Sequence, residues 1–158
     1  MTAGRAGLPE DPVEAVRSLV EQIARALGFD GRVDLENGED EVVATLHGVD
    51  LGLFIGRHGQ TIDAVQHLAY RVALDAGLEG KRVTVDAEGY RARRREALER
   101  QAEQAAEEAV RYGRPVALDA MTATERKLVH EFLRDRGDVE THSEGDEPDR
   151  HLVVAPAR

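Results

Sequence analysis

The sequence contains no cysteine and no tryptophan, and only three tyrosines and three phenylalanines in 158 residues. Without cysteine there is no disulfide framework and no thiolate metal site, which accords with a reducing compartment. Long apolar runs are missing too. No stretch approaches the roughly 20 residues needed to cross a bilayer. The first twelve residues, with Gly4, Gly7, Pro9 and Pro12, lack the apolar core of a signal peptide. These absences predict a soluble, cytoplasmic protein. Lysine is scarce: every basic residue except Lys81 and Lys127 is arginine. Arginine suits bidentate phosphate contact and stacking, although a GC-rich genome also favours it. The net charge is −10, and most of the acidic excess lies in the first fifty residues.

Enzyme signatures are absent as well. The chain has no Gly-x-x-x-x-Gly-Lys phosphate loop and no Gly-x-Gly-x-x-Gly. His130-Glu131-Phe132-Leu133-Arg134 lacks the second histidine of a zinc-protease helix, and the six histidines have no ligand-like spacing. The only serines, Ser18 and Ser143, sit in no nucleophile elbow. The expectation is a chain with no catalytic residues, no cofactor and no metal.

What is present is a pattern of alternating elements. Residues 13–28 carry Val13, Val16, Leu19, Val20, Ile23, Ala24 and Leu27 at helical spacing, with Asp11-Pro12 as a start and Gly28 as a stop. Two strands, Arg32–Glu36 and Glu41–His47, flank the turn signal Asn37-Gly38. A short helical turn from Asp50 leads through Ile55 into Gly56-Arg57-His58-Gly59, and a helix follows from Thr61 to Ala76. Arg82–Asp86 alternates as a strand. A second region opens with a long helix over Arg91–Tyr112 and a short strand at Val116–Leu118. It continues with a helix from the Thr122–Glu125 capping box to about Arg134, and with strands at Asp138–His142 and His151–Ala155.

Gly56 and Gly59, two residues apart at a helix start, leave backbone N–H groups bare and let a phosphate backbone approach. With Arg57 and His58 at the tip, this matches the clamp by which KH domains hold about four nucleotides of a single strand, and the bland alternative is an ordinary helix–turn–helix connection with glycines for geometry. Leu53, Ile55, Ile62 and Val65 are the expected apolar groove beside it. Leu68, Val72 and Leu74 are expected in the core. The candidate contacts are Ile55, Gly56, Arg57, His58, Gly59, Gln60 and Ile62. A second set is Arg126, Lys127 and His130, on one helix face by four-residue spacing. That spacing equally describes a solvated face with Lys127 paired to Glu131. A third is the basic run Arg91, Arg93, Arg94 and Arg95, which opposes the dipole of the helix it opens. A phosphate-facing role would account for it, and so would pairs such as Arg95–Glu99 on a solvated helix.

The stretch Asp50-Leu-Gly-Leu-Phe-Ile-Gly-Arg-His-Gly-Gln-Thr-Ile62 resembles the KH core of the bacterial Jag (SpoIIIJ-associated protein) family. Glu125-Arg-Lys-Leu-Val-His130, with Val139-Glu-Thr-His-Ser-Glu-Gly-Asp-Glu-Pro148, resembles that family's C-terminal R-three-H domain, and the joint Val85-Asp-Ala-Glu-Gly-Tyr-Arg91 matches as well. The resemblance covers roughly residues 13–156. It implies an α+β fold: a KH-like domain (helix-strand-strand-helix-GxxG-helix-strand), followed by a small α/β R-three-H domain. The expected organisation is a disordered tail over residues 1–12, a KH domain over 13–89 and an R-three-H domain over 90–158. The implied function is single-stranded RNA binding, as a post-transcriptional regulator or RNA chaperone tied to cell elongation, cell shape and cell wall biogenesis. A separate single-KH protein is the implied partner, and the single-strand contact role falls on Arg126 and His130. Two departures stand out. Many family members carry an extra N-terminal domain, and His58 replaces a more usual Arg or Lys, so only Arg57 gives the clamp tip a charge that does not depend on pH. A scaffold that uses the KH surface for docking or dimerisation, and a ribosome-associated maturation factor, are the alternatives. Oligomeric state is left open.

Overall fold

The computed structural model describes residues 7–158. Of the expected disordered tail, residues 1–6 lie outside the described residues. From Gly7 the chain is described, and Asp11 already caps the first helix. The chain divides into two compact units, residues up to 91 and residues 92–158.

Helix α1 (Pro12–Ala26) begins where Asp11 accepts hydrogen bonds from the N–H groups of Val13 and Glu14, with proline in the first turn where no N–H is needed. Its buried stripe is Val16, Val20 and Ala24. Strands β1 (Arg32–Asn37) and β2 (Glu41–His47) form an antiparallel hairpin, with Asn37 opposite Val42. The connecting turn is longer than two residues. Lys81 pins it by donating to Asn37 Oδ1 and the Gly38 carbonyl. Helices α2 (Gly52–Ile55) and α3 (Gln60–Asp75) follow, and β3 (Arg82–Ala87) then pairs parallel to β2. A parallel pair needs a crossover, and α2 and α3 supply it. The order β1-β2-β3 leaves β3 as an edge. Val42, Ala44 and Leu46 alternate into a core with Phe54, Ile62, Val65, Ala69 and Ala73.

The second unit is built on α4 (Tyr90–Tyr112), β4 (Val116–Ala117), α5 (Ala123–Leu133), β5 (Val139–Glu144) and β6 (His151–Pro156), the strands forming an antiparallel sheet in the order β4-β6-β5. Helix α4 presents Ala102, Ala105, Ala106 and Ala109 to the core, small side chains that permit close approach. Helix α5 starts at the expected capping box: Glu125 N–H donates to Thr122 Oγ1 and Thr122 N–H to Glu125 Oε2. Both units have the expected α+β character, with strand and helix ends moved by one or two residues. Among the described residues no helix is long and apolar enough to cross a membrane.

Candidate nucleic-acid interface

The loop between α2 and α3 owes its shape to its glycines. Gly56 has φ 75° and ψ 174°, a region essentially closed to side chains. A Cβ there would lie 2.8 Å from Thr61 Cβ and 2.9 Å from the Thr61 nitrogen. Gly59 is left-handed at φ 75° and lies against Tyr90, whose hydroxyl would stand 3.0 Å from an added Cβ. Gly59 is itself buried, so it shapes the loop from below. His58 is left-handed too, at φ 54°, a conformation His, Asn and Asp adopt more readily than most residues. This geometry turns Arg57 outward. Arg57 is exposed and donates to His58 Nε2 at 3.3 Å, a bond that requires this imidazole nitrogen to be unprotonated. Gln60 is exposed on the first turn of α3 and Ile55 is half-buried.

Two residues expected to line the groove are elsewhere. Ile62 is fully buried and Val65 is 4% exposed, so both support α3 from beneath rather than meet a ligand. Ile62 is therefore a core residue, not a contact. The converse holds for Leu68 and Leu74, expected in the core but 50% and 38% exposed. Leu53 is also exposed. The groove that is present runs along the outer flank of α3 and the open edge of β3, with a volume of about 610 Å³. Helix α3 contributes Asp63, Gln66, His67, Tyr70 and Leu74, and β3 contributes Arg82, Val83 and Thr84. At Val85 the strand edge is already occupied: its N–H donates to Gln66 Oε1 and its carbonyl accepts from Arg91 Nε. Backbone groups alternate along a strand, so the Val83 N–H and carbonyl face the same open edge, into the groove. Sequence reasoning missed Gln66, His67, Tyr70 and Val83. The 63–67–70–74 spacing of one helix face was the available signal.

In the second unit, α5 carries Arg126, Lys127 and His130. Arg126 is only 11% exposed: it donates to the Met121 carbonyl at 2.7 Å and to Glu147 Oε1 at 2.7 Å. Its guanidinium is committed to anchoring the entry of α5 and the loop before β6, which corrects the expectation of an open contact. His130 is exposed and shares a hydrogen bond with Thr141 on β5. Lys127 is 75% exposed, with Glu131 at 3.9 Å, so of the three expected contacts Lys127 and His130 are the ones that face outward.

The basic run at the start of α4 is also largely structural. Arg91 bridges Asp63 at 2.8 Å and the Val85 carbonyl, holding the start of α4 to the first unit's own elements. Arg94 forms a fork with Glu125 at 2.7 and 3.2 Å, both side chains mostly buried. Arg95 pairs with Glu99 at 2.9 Å. Arg93 is exposed. The expectation of an accessory phosphate-facing cluster is thus corrected for Arg91 and Arg94.

Comparison with known proteins accords with this division. Residues 15–87 match the KhpA/KhpB KH domain, and residues 96–156 match the R-three-H domain. The RNA-binding protein KhpB of Clostridium symbiosum is 36% identical over 141 residues, covering 88% of this chain and 64% of that protein. The protein of the same name from Lactiplantibacillus plantarum is 36% identical over 153 residues, 97% of this chain and 48% of its own length. That of Bacillus subtilis is 30% identical over 150 residues, 94% of this chain and 72% of its own. The chain thus spans less than two thirds of the first two relatives.

Proposed function

The chain belongs to the KhpB family, and on that premise we propose that it binds single-stranded RNA with both of its units. The KH and R-three-H domains that compose it are binding domains rather than catalytic ones. The observation that carries the reading is the Gly56–Gly59 loop, with its outward Arg57, at the start of a helix whose outer flank forms a groove with the edge strand β3, open at Val83. The loop receives the phosphate backbone at the α3 N-terminus, where the helix dipole favours negative charge. Bases lie in the groove, against Tyr70 and Leu74, and hydrogen-bond to the Val83 edge. In the second unit, Lys127 and His130 face the strand while Arg126 holds their scaffold. Tethering two weak sites raises the effective concentration of the second, so combined affinity exceeds either alone.

The same reading makes the protein a cytoplasmic post-transcriptional regulator or RNA chaperone linked to cell elongation and envelope growth, with a separate single-KH protein as partner. The acidic first fifty residues discourage non-specific adhesion to duplexes. About four phosphate contacts correspond to a log–log salt slope of roughly −3 on a single strand.

The test is anisotropy of a labelled single-stranded RNA pool with wild type and the double variant Arg57→Asp/His58→Asp. Both positions are at the loop tip, and Asp tolerates the left-handed conformation of His58, so the fold is expected to survive. Loss of at least tenfold in affinity with an unchanged melting temperature supports the reading; equal binding by both proteins overturns it. A second reading, docking of another protein on the first unit, is favoured by the exposure of Val49, Leu53 and Leu68, at 86, 64 and 50%. A folded loop variant that keeps its protein partner but loses RNA would separate the two.

A further inference from the structure

The chain has six aromatic residues. Phe54 lies in the core, Phe29 packs against it, Tyr90 lies under the Gly59 turn, and Phe132 is part-exposed on α5. Tyr70 lines the groove of the first unit. Tyr112, at the last turn of α4, belongs to none of these places. It is 59% exposed, although burying its ring would be favourable. Two guanidiniums flank it: the Arg111 and Arg114 carbons lie 5.5 and 5.8 Å from the ring centroid. At such distances the cations stand at the rim of the cation–π range and leave ring surface open.

The ring forms one wall of a concave site of about 530 Å³, also lined by Gln104, Glu107, Glu108, Arg111 and Arg114. The partnering within it is uneven. Arg114 is paired with Glu108 at 3.1 Å. Arg111 meets the ring and, among the described residues, no carboxylate. Glu107 and Gln104 are exposed on the same helix. The site therefore offers an open aromatic wall, one guanidinium without a carboxylate, one amide and one carboxylate outside the Arg114–Glu108 pair.

We infer that this site stacks a guanine base of single-stranded RNA on Tyr112. The inference rests on the RNA-binding reading above, and adds a contact outside the Gly56–Gly59 loop and the Arg126–His130 face. The aromatic ring supplies sequence-tolerant stacking. The carboxylate supplies the choice: ionised Glu107 only accepts, so it suits a base edge with adjacent donors. Guanine presents N1–H and N2–H₂ side by side. Adenine and cytosine place a ring acceptor next to their amine, and uracil flanks its single donor with two acceptors. Arg111 meets the phosphate of the stacked nucleotide.

The absence of tryptophan makes the test direct, because Tyr112→Trp creates a single reporter in the full chain. Its fluorescence is followed while a GU-repeat or an AU-repeat RNA octamer is added, and anisotropy of the same labelled octamers records binding in parallel. The expected result is quenching by the GU octamer with markedly less by the AU octamer, a difference that Glu107→Gln in the reporter background abolishes. Tyr112→Ala lowers affinity for the GU octamer about tenfold with an unchanged circular dichroism spectrum. Binding by anisotropy with no quenching overturns the site while leaving the RNA reading intact. Equal quenching by both octamers overturns the guanine assignment. No binding of either octamer overturns the RNA reading, and this site with it.

Discussion

In the first unit the loop-tip Arg57 meets its neighbour His58 and, among the described residues, no carboxylate, whereas in the second unit Arg126 is 11% exposed and tied to Glu147. Both arginines belong to short motifs that point to nucleic acid, yet the structure uses them in opposite ways. In the loop, the glycines are the framework and the residues between them are free to meet a ligand. On α5, the arginine is the framework and its neighbours Lys127 and His130 face outward. A motif thus identifies a site without saying which of its residues touch the ligand. The cores differ likewise: Val, Leu, Ile and Phe side chains dominate the first, and an alanine stripe on α4 serves the second.

The comparison breaks most visibly at Gly56. Gly56→Ala forces a Cβ onto Thr61 in a backbone region closed to side chains, at a cost of about 3 kcal/mol or more. For a unit of this size that corresponds to a melting temperature lowered by roughly 15 °C. If Gly56→Ala melts like wild type, the glycine serves the ligand and not the loop. Next in size is Arg57→Asp/His58→Asp, where at least a tenfold loss of RNA affinity with no thermal change is expected.

Much of this was legible beforehand because it is local. Asp11-Pro12, Asn37-Gly38 and the Thr122–Glu125 box each place an element boundary through hydrogen bonds within a few residues. The loop glycines were legible for the same reason. The solvent-facing side of α3 was not. Its large leucines, Leu68 and Leu74, look like core residues, but Ala69 and Ala73 fill the core instead, with Ile62 and Val65, under the packing of α1 on α3. Size alone does not reveal how closely two helices approach. Nor does spacing reveal Glu147, which reaches Arg126 from twenty-one residues away. Four-residue periodicity puts Arg126 and His130 on one face, but only tertiary structure places a carboxylate and a carbonyl over one of them.

The α5 assignment sharpens through a pair of single variants. Arg126→Ala leaves the Met121 carbonyl without its donor and Glu147 without its partner, and is expected to destabilise the second unit by about 1–3 kcal/mol. Its effect on RNA affinity, measured below its melting temperature, should be slight. Lys127→Ala is expected to do the reverse: a few-fold weaker binding, a salt slope reduced by about 0.7, and an unchanged melting curve. If Arg126→Ala weakens binding more than Lys127→Ala while leaving stability intact, Arg126 is a contact, and the contrast with the first unit disappears.

The smallest expected effect concerns acid. At the turn between α5 and β5, Arg136 joins Asp138 at 2.7 Å and also pairs with Glu103 on α4. The hydrogen bond from Arg136 holds the Asp138 carboxyl below the usual carboxylate range, and Asp138 in turn helps raise Arg136 above its ordinary value. A carboxyl depressed in the folded state contributes stability that is fully present above its unfolded pKa, about 4. That contribution is lost as pH falls through the folded value. The pair is solvent-exposed and screened, so its contribution should also shrink in 1 M salt. Asp138→Asn should therefore melt slightly below wild type at pH 7 in low salt, and the gap should close towards pH 2. The wild-type first unit, whose core rests on apolar side chains, provides the internal reference. A gap that persists unchanged at pH 2 would mean that Asp138 acts through the geometry of the turn rather than through its charge.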